Sequence, residues 1–406
     1  MNRKSRLRFC LAAVLLLTLL TACAGGAAPD GGVVLRVWGP QEEQANLKAM
    51  CEEFAAANPE YDYSFQYGVV SEADARERIL EDPAAAADIF MFANDHLREL
   101  VSAGALYEIT RNKDDIASRN VPGSLESASL DGKLYGYPMS ADNGYFLYYD
   151  SSVFSAEDVL SLERMIAAAH AANKKIFMDI SNGWYIVSFF LGAGCTLSID
   201  ENGDQVCDFN NADGLLAAEA IRAFTASPVF VTGDDPVLQG GMGNSIAAGV
   251  SGTWNAEAIR EKLGANYAAT KLPSFSAGGR EIQMASFGGY KLVGISRLTE
   301  AQTQSPARAM DLADWLTNEA NQVERFETRG LGPSNIQAAA SPAVAADIAL
   351  AALAAQSPYA FPQNEVLTNF WTPAEAFGLA LERGAGDDLQ AMLDTMVEQI
   401  QAPPVN

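Results

Sequence analysis

Along this chain the apolar positions switch repeatedly between the two-residue period of strands and the 3.6-residue period of helices. Val33-Val34-Leu35-Arg36-Val37-Trp38 is a short apolar run stopped by Gly39-Pro40, which predicts a strand. Over residues 41–57, Leu47, Met50, Cys51 and Phe54 recur at helical spacing until Asn58-Pro59 ends the pattern. Tyr61 to Tyr67 alternates like a half-buried strand, and residues 72–80 return to helix. Asp88-Ile89-Phe90-Met91-Phe92 predicts a buried strand, and residues 96–103 a helix stopped at Gly104. Strands and helices alternating at this spacing imply an α/β sandwich around a parallel sheet.

A second unit follows. Strand-like runs at 133–138 and 145–149 flank Asp142-Asn143-Gly144. Next come a helix at 157–172, a strand at 175–180, a helix at 184–193, a hairpin at 196–208 and a helix at 211–226. A strand at 245–250 ends in Ser251-Gly252-Thr253-Trp254. Strands at 282–287 and 290–295 precede helices over 305–329. After a break at Gly330-Leu331-Gly332-Pro333, helices are expected near 342–356, 374–383 and 387–401. The Ala-rich segment 338–355 reads as helix with weak side-chain specificity. A chain of 406 residues suits two domains.

The first 23 residues are of another kind. Arg3, Lys4, Arg6 and Arg8 precede an apolar run from Phe9 to Leu20, which ends in Leu20-Thr21-Ala22-Cys23. A basic head, a short apolar run and small residues describe a secretory signal over residues 1–22, too short to span a membrane. The cysteine after the small residues resembles a bacterial lipobox, which implies cleavage before Cys23 and diacylglycerol on its thiol. Residues 23–32, rich in Ala and Gly, read as a tether. The protein is then expected on the outer face of the cytoplasmic membrane, held to the lipid bilayer through Cys23.

Losing four basic and no acidic residues takes the net charge from −24 to −28. So acidic a body argues against nucleic acid and against adhesion to anionic headgroups. Beyond Cys10 and Cys23, Cys51 lies on a helical pattern as a buried thiol. Cys195 and Cys207 flank the turn at 199–204, either as a hairpin disulfide or as two separate buried thiols, strand register being the deciding quantity.

Catalytic and metal signatures are missing. The two histidines, His96 and His170, lie in no ligand-spaced cluster, and no nucleophile elbow, phosphate loop or dinucleotide fingerprint occurs. Gly240-Gly241-Met242-Gly243 lacks the Lys and Ser/Thr of a phosphate loop. Neither enzyme activity nor a cofactor nor a metal is expected. Open α/β sheets bind ligands beyond the carboxyl ends of their strands, where Trp38, Phe92 and Trp254 stand, with Gln41, Glu42, Asn94 and Asp95 directly behind two of them. Aromatic faces can cover the C–H faces of sugars while carboxylates and amides take hydroxyl hydrogens. For Trp38 and Phe92 core packing is the equal alternative.

The order of these fragments resembles that of the solute-binding proteins of ABC importers, of the maltose- and oligosaccharide-binding type. The fragments are Leu35 to Trp38, Ala87 to Asp95, Ala103 to Leu106 with Glu108-Ile109-Thr110, Asp131 to Pro138, Asp142, Tyr148-Tyr149-Asp150, Ala248 to Asn255 and Phe370-Trp371. The resemblance implies the periplasmic-binding-protein-like fold (type II), with two α/β lobes, crossing strands and a ligand cleft between them. It implies lobe one over 33–141 and 285–330, and lobe two over 142–284 and 331–402. It implies a carbohydrate, an oligosaccharide by type, delivered to ABC permease membrane subunits by a monomer. Gln41 and Glu42 fall in its polar loop. Phe92 stands where maltodextrin binders stack a Trp, with Asn94 and Asp95 as the polar positions after it. Asp142 matches a hinge carboxylate, one methylene shorter than the usual Glu. Trp184, Tyr185, Trp254 and Trp371 match stacking aromatics. A lipoprotein presenting ligand to a membrane sensor, or a binder of a non-sugar solute, remains the alternative role for the same scaffold.

Overall fold

The computed structural model describes residues 32–297, 306–385 and 388–402. The signal segment, Cys23 and the tether up to residue 31 lie outside the described residues, and Gly32 already opens the first strand.

Two sheets build two lobes. In the first, Ala360–Pro362, Ser286–Ile295, Ile89–Ala93, Gly32–Gly39 and Asp62–Val69 lie side by side in that order, and Tyr137–Gly144 also pairs with Ser286–Ile295. Gly32–Gly39 runs parallel to Asp62–Val69 and to Ile89–Ala93, as the helices intervening in sequence require. Every residue of Ile89–Ala93 is buried, as its unbroken apolar run demands. The second sheet orders Phe230–Val231, Lys175–Phe177, Ile246–Ser251, Phe146–Asp150 and Tyr267–Thr270. Each lobe has its own core: Val37, Leu47, Phe90 and Val293 are among the buried residues of one, and Leu147, Phe189, Phe224 and Leu393 among those of the other.

Three connections carry the chain between the lobes, and Ala360–Pro362 later returns to the edge of the first sheet. Tyr137–Gly144 ends in the first sheet, and after the buried Tyr145 the chain enters the second sheet as Phe146–Asp150. The return leads from the hairpin Ser274–Ala277 and Arg280–Gln283 into Ser286–Ile295, one continuous strand instead of two runs. The last crossing follows the helix Glu319–Arg329, which Gly330 closes in the left-handed conformation at φ 69°. Two residues on, the Gly332 N–H donates to Asp142 Oδ2 at 2.8 Å. A Cβ at Gly332 would lie 2.9 Å from the Asp142 Cβ, so glycine is what lets two crossings touch.

A buried ion cluster fastens this helix to the first lobe. Glu43 and Arg325 are each 1% exposed; Arg325 Nε donates to Glu43 Oε1 at 2.5 Å, and Arg329 Nη1 to Glu43 Oε2 at 2.9 Å.

Three expectations are corrected. The Ala-rich segment is three short helices, Ile336–Ala339, Pro342–Ala345 and Ile348–Gln356. Asn335, Ser341 and Asp347 each cap a new N-terminus with a side-chain oxygen, and these local bonds outweigh the helix propensity of alanine. The helix expected over 157–172 begins at Leu162, where Ser161 caps it. Cys195 and Cys207 are free thiols. In the hairpin, Cys207 stands opposite Leu197, which leaves Cys195 outside the paired register, 3.6 Å from Asn211 Oδ1. Burial pushes both thiols up to about 12.

Candidate functional site

The carboxyl ends of the central strands from both sheets converge on the gap between the lobes. On the first lobe, Gly39-Pro40 ends a strand and Gln41–Glu43 forms a 3₁₀ turn with Gln41 and Glu42 exposed. Gln44 Nε2 holds that turn by donating to the carbonyl oxygens of Gly39 at 2.8 Å and Gly68 at 3.2 Å. The parallel turn Asn94–His96 follows Ile89–Ala93. Asn94 Oδ1 accepts the Tyr290 N–H at 2.8 Å, which ties the turn to the crossing strand, while Asn94 Nδ2 and Asp95 Oδ1 are buried without partners. Asp95 Oδ2 pairs with His96 Nε2 at 3.5 Å.

Phe92 does not line the gap. Its side chain is fully buried and its ring packs 5.4 Å from Phe90 in the first-lobe core. A strand covered on both faces carries no periodicity that would separate its inward and outward positions, so the alternative of core packing prevails.

The second lobe supplies the aromatic surface. Asn182 caps the helix Gly183–Ala193 by accepting the Trp184 N–H at 2.9 Å, which sets the Trp184 and Tyr185 side chains at the strand end. Trp184 is half-buried, with ring centroids 5.6 Å from Tyr145 and 5.4 Å from Phe287. Its indole Nε1 has no partner. Tyr185, nearly buried, meets Tyr145 edge-on at 5.0 Å. Trp371 opens the helix Trp371–Glu382 and lies 6.0 Å from the same Phe287. Phe287 of the returning strand thus underlies both tryptophans.

Trp254 stands half-buried on the turn Thr253–Asn255, at the end of Ile246–Ser251. Its Nε1 donates to Asp235 Oδ2 at 3.1 Å, and Asn255 Nδ2 donates to Asp235 Oδ1 at 2.6 Å. The ring lies against Gly252, where a Cβ would come within 1.9 Å of Cζ3. The residue before it, Thr253, donates its hydroxyl to Asp142 Oδ2 at 2.7 Å. Asp142 is 1% exposed, and its second oxygen Oδ1 has no partner. The expected hinge carboxylate therefore joins two crossings to the second lobe and keeps one free acceptor.

The electrostatics are those of a concentrated acidic surface. Burial, with the charges of Asp234 and Glu42 added, raises the Asp235 carboxyl above its ordinary range despite the Asn255 and Trp254 bonds. Burial likewise raises Asp179, to which the charges of Glu382 and Asp235 contribute, and Glu375, to which Asp179 contributes. One cation enters this region: Lys291 Nζ lies 3.5 Å from Glu72 Oε1 and 5.6 Å from the Trp254 ring centroid. Carboxylates and aromatic faces can bind vicinal hydroxyls above apolar C–H surfaces. Among the described residues no three or more His, Cys, Asp or Glu side chains are grouped to hold a metal, and no helix is long and apolar enough to cross a membrane.

The structure therefore joins Asp142 to the turn that carries Trp254, groups Trp184, Tyr185 and Trp371 on Tyr145 and Phe287, leaves Gln41 and Glu42 exposed, keeps Asn94 and Asp95 largely beneath the first-lobe surface, and buries Phe92 in the core. Sequence reasoning missed Asp179, Asp235, Glu72 and Lys291. Asp179 follows a strand end and fits the rule that found Trp254. Lys291 is the lone charge in an apolar run, Tyr290-Lys291-Leu292-Val293. Asp235 carried no signal beyond the helix start it occupies. A separate cavity of about 570 Å³ opens at the crossing strands, lined by Glu126, Ser127, Asn143, Ser286, Leu353 and Phe361 among others; of the expected contact residues only Asp142 borders it.

Two α/β lobes, joined by crossing strands and facing each other across carboxylates and aromatic rings, form a protein that captures a solute between its lobes. Residues 49–352 match the model of the bacterial extracellular solute-binding proteins, and the chain belongs to that family. The galactooligosaccharide-binding protein of Bacillus subtilis (strain 168) is 26% identical over 400 residues, covering 91% of this chain and 90% of that protein. A structure solved with acarbose is 31% identical, with a TM-score of 0.83 over 91% of this chain and 99% of its own. The maltodextrin-binding protein MalE1 from L. casei BL23, solved without ligand, is 23% identical and shares the fold at a TM-score of 0.76, over 91% and 99% of the two chains.

Proposed function

We propose that the protein captures an oligosaccharide outside the cytoplasmic membrane and delivers it to the permease subunits of an ABC importer, binding without turnover. The observation that carries this reading is the Trp254 site. A half-buried indole with its N–H fixed on Asp235 faces the first lobe, whose Lys291 ammonium lies 5.6 Å from the ring centroid. With its N–H on Asp235, Gly252 against its six-membered ring and the Lys291 ammonium over it, the indole offers its remaining surface to the C–H side of a sugar, and the surrounding carboxylates take the hydroxyls. Trp184, Tyr185 and Trp371 extend the aromatic surface to further rings, which suits a ligand of several units. Similarity to a structure solved with acarbose and to a galactooligosaccharide-binding protein supports a saccharide.

The chain is further proposed to act as a monomer anchored by lipid on Cys23. Cys23→Ser is expected to move the protein from the membrane fraction into the soluble one, because one thiol carries the whole anchor and an acidic body adds no attraction to anionic headgroups. The saccharide reading is tested by calorimetric titration of the chain lacking residues 1–22 with acarbose, maltotetraose and a galactooligosaccharide. Saturable binding of at least one is expected. No heat and no rise in melting temperature with any of them would overturn the reading, because a ligand that binds only the folded state must stabilise it.

A further inference from the structure

Lys291 lies against charge on one lobe and an aromatic ring on the other. Its backbone is fixed inside the first sheet, paired with Ala93 on one side and Ser140 on the other. The side chain is only 11% exposed. Its ammonium lies 3.5 Å from Glu72 Oε1 of the first lobe and 5.6 Å from the centroid of Trp254 of the second. Burial alone would lower its pKa, but the charges of Glu72 and Asp142 outweigh that and hold the group as an ammonium. Asp142 in turn accepts the hydroxyl of Thr253, the neighbour of Trp254, and keeps one oxygen unpartnered.

Trp254 is held on its other sides by its own lobe: Asp235 takes its N–H and Gly252 lies against its six-membered ring. The contact with Lys291 reaches across to the first sheet. The ammonium stands on one lobe and the ring on the other, so an opening that moves the two apart breaks this contact while leaving Lys291–Glu72 intact. A cation near an indole is attracted to the electron-rich ring face, more strongly the less water surrounds the pair.

We propose that Lys291 is a positioning residue of the cleft, its ammonium bridging Glu72 and the indole of Trp254 so that lobe closure and the orientation of the Trp254 ring are set together. Closure then delivers the ring already aligned for a sugar, and a sugar stacked on it strengthens closure in return. The sugar half of this inference rests on the saccharide reading above; the closure half does not.

The test therefore begins without sugar. Small-angle scattering of Lys291→Met in buffer is expected to give a larger radius of gyration than the wild type, and Lys291→Arg, which keeps the cation, a radius like the wild type. Trp254→Ala should expand the protein similarly, and adding Lys291→Met to it should expand it no further. Lys291→Met/Glu72→Gln, which removes both charges of the pair, guards against misfolding of the single variant and should expand like it. Titration with acarbose should then show about five- to thirtyfold weaker binding for Lys291→Met, the range of about 1–2 kcal/mol for such contacts. Arginine should restore affinity to within about threefold, and the loss should vanish in the Trp254→Ala background. An unchanged radius in a folded Lys291→Met or its double variant, tighter acarbose binding, or additive effects of Lys291 and Trp254 would each overturn the proposal. Failure of the wild type to bind acarbose, maltotetraose and a galactooligosaccharide alike would overturn the saccharide reading and leave the scattering comparison to decide the role of Lys291.

Discussion

Trp254 is tied to its lobe by one edge hydrogen bond and a glycine contact, yet remains half-buried. Truncating it should cost ligand binding far more than folding. Trp254→Ala is expected to weaken the cognate sugar by about 1–3 kcal/mol, by analogy with aromatic–base stacking, or roughly ten- to a hundredfold. The apo melting temperature should move little. Calorimetric titration and thermal melting separate the two; unchanged affinity with a large fall in melting temperature would make Trp254 a core residue. Asp179 gives the complementary case. Its carboxyl is raised by burial and by the neighbouring charges of Glu382 and Asp235, so the folded state favours the protonated form. A raised carboxyl stabilises fully below the ordinary carboxylate range, and that contribution is lost as pH rises through the folded-state value. Asp179→Asn, neutral at every pH, should therefore melt higher than the wild type at pH 7.5, and the gap should close as pH falls toward 4. A gap that is constant with pH would mean that the charge of Asp179 carries no cost. Legibility at this scale was uneven for a physical reason. Trp254 announced itself because Gly252 and Thr253 mark a turn. Phe92 did not, because in a strand buried on both faces the side facing the cleft has no sequence signature. Cys195 and Cys207 depended on a one-residue register. Asp235 and Lys291 acquire their meaning only from partners far away in the chain.

Among the elements, the helix Glu319–Arg329 decides how the last crossing is held. Glu43, one residue past the exposed Glu42, accepts bonds from Arg325 and Arg329, and Arg329 ends the helix just before Gly330 and Gly332. The loop that carries Glu42 toward the cleft is thereby joined to the segment that meets Asp142. Glu43→Ala leaves a buried guanidinium without its carboxylate and is expected to destabilise the protein by about 3–5 kcal/mol. Arg329→Ala removes a more exposed partner while Arg325 still pairs with Glu43, and should cost about 1 kcal/mol or less. Urea unfolding of the two variants measures the difference, and equal losses would mean that burial is not what sets the strength of this cluster. The strand order was legible where apolar runs and Gly or Pro breaks coincide, as in Gly32–Gly39 and Ile246–Ser251. It was blurred where side-chain caps cut a propensity, as Ser161 does at Leu162 and as Asn335, Ser341 and Asp347 do along the alanine-rich stretch. Propensity sums over a window, whereas a cap acts at one residue, and a composition-based reading misses it.

For the whole molecule, the question is how firmly the lobes hold one another. Beyond the crossings, Arg76 Nη1 of the first lobe donates to Thr368 Oγ1 of the second at 2.7 Å, and Thr368 Oγ1 donates to Glu99 Oε2 at 2.8 Å. This rim contact sits among residues near the surface, where a polar bond contributes about 0–1 kcal/mol. A few such bonds, with the Lys291–Trp254 contact, leave open and closed forms within a few kcal/mol of each other, so a solute that touches both lobes can shift the balance. Saturating acarbose is accordingly expected to reduce the radius of gyration of the wild-type protein in small-angle scattering. Arg76→Ala weakens the closing step, because it removes one of the two rim bonds to Thr368 and leaves the one to Glu99, without touching Trp184, Trp254 or Trp371. Apparent affinity falls in proportion to the competent fraction, so the variant should bind more weakly by no more than about tenfold, and by the same factor for acarbose as for maltotetraose. Its sugar-free radius should exceed that of the wild type, and saturating ligand should bring both proteins to the same value. A loss that differed between the two sugars would place Arg76 in contact with the ligand instead, and a radius indifferent to ligand in the wild type would remove closure from the mechanism altogether.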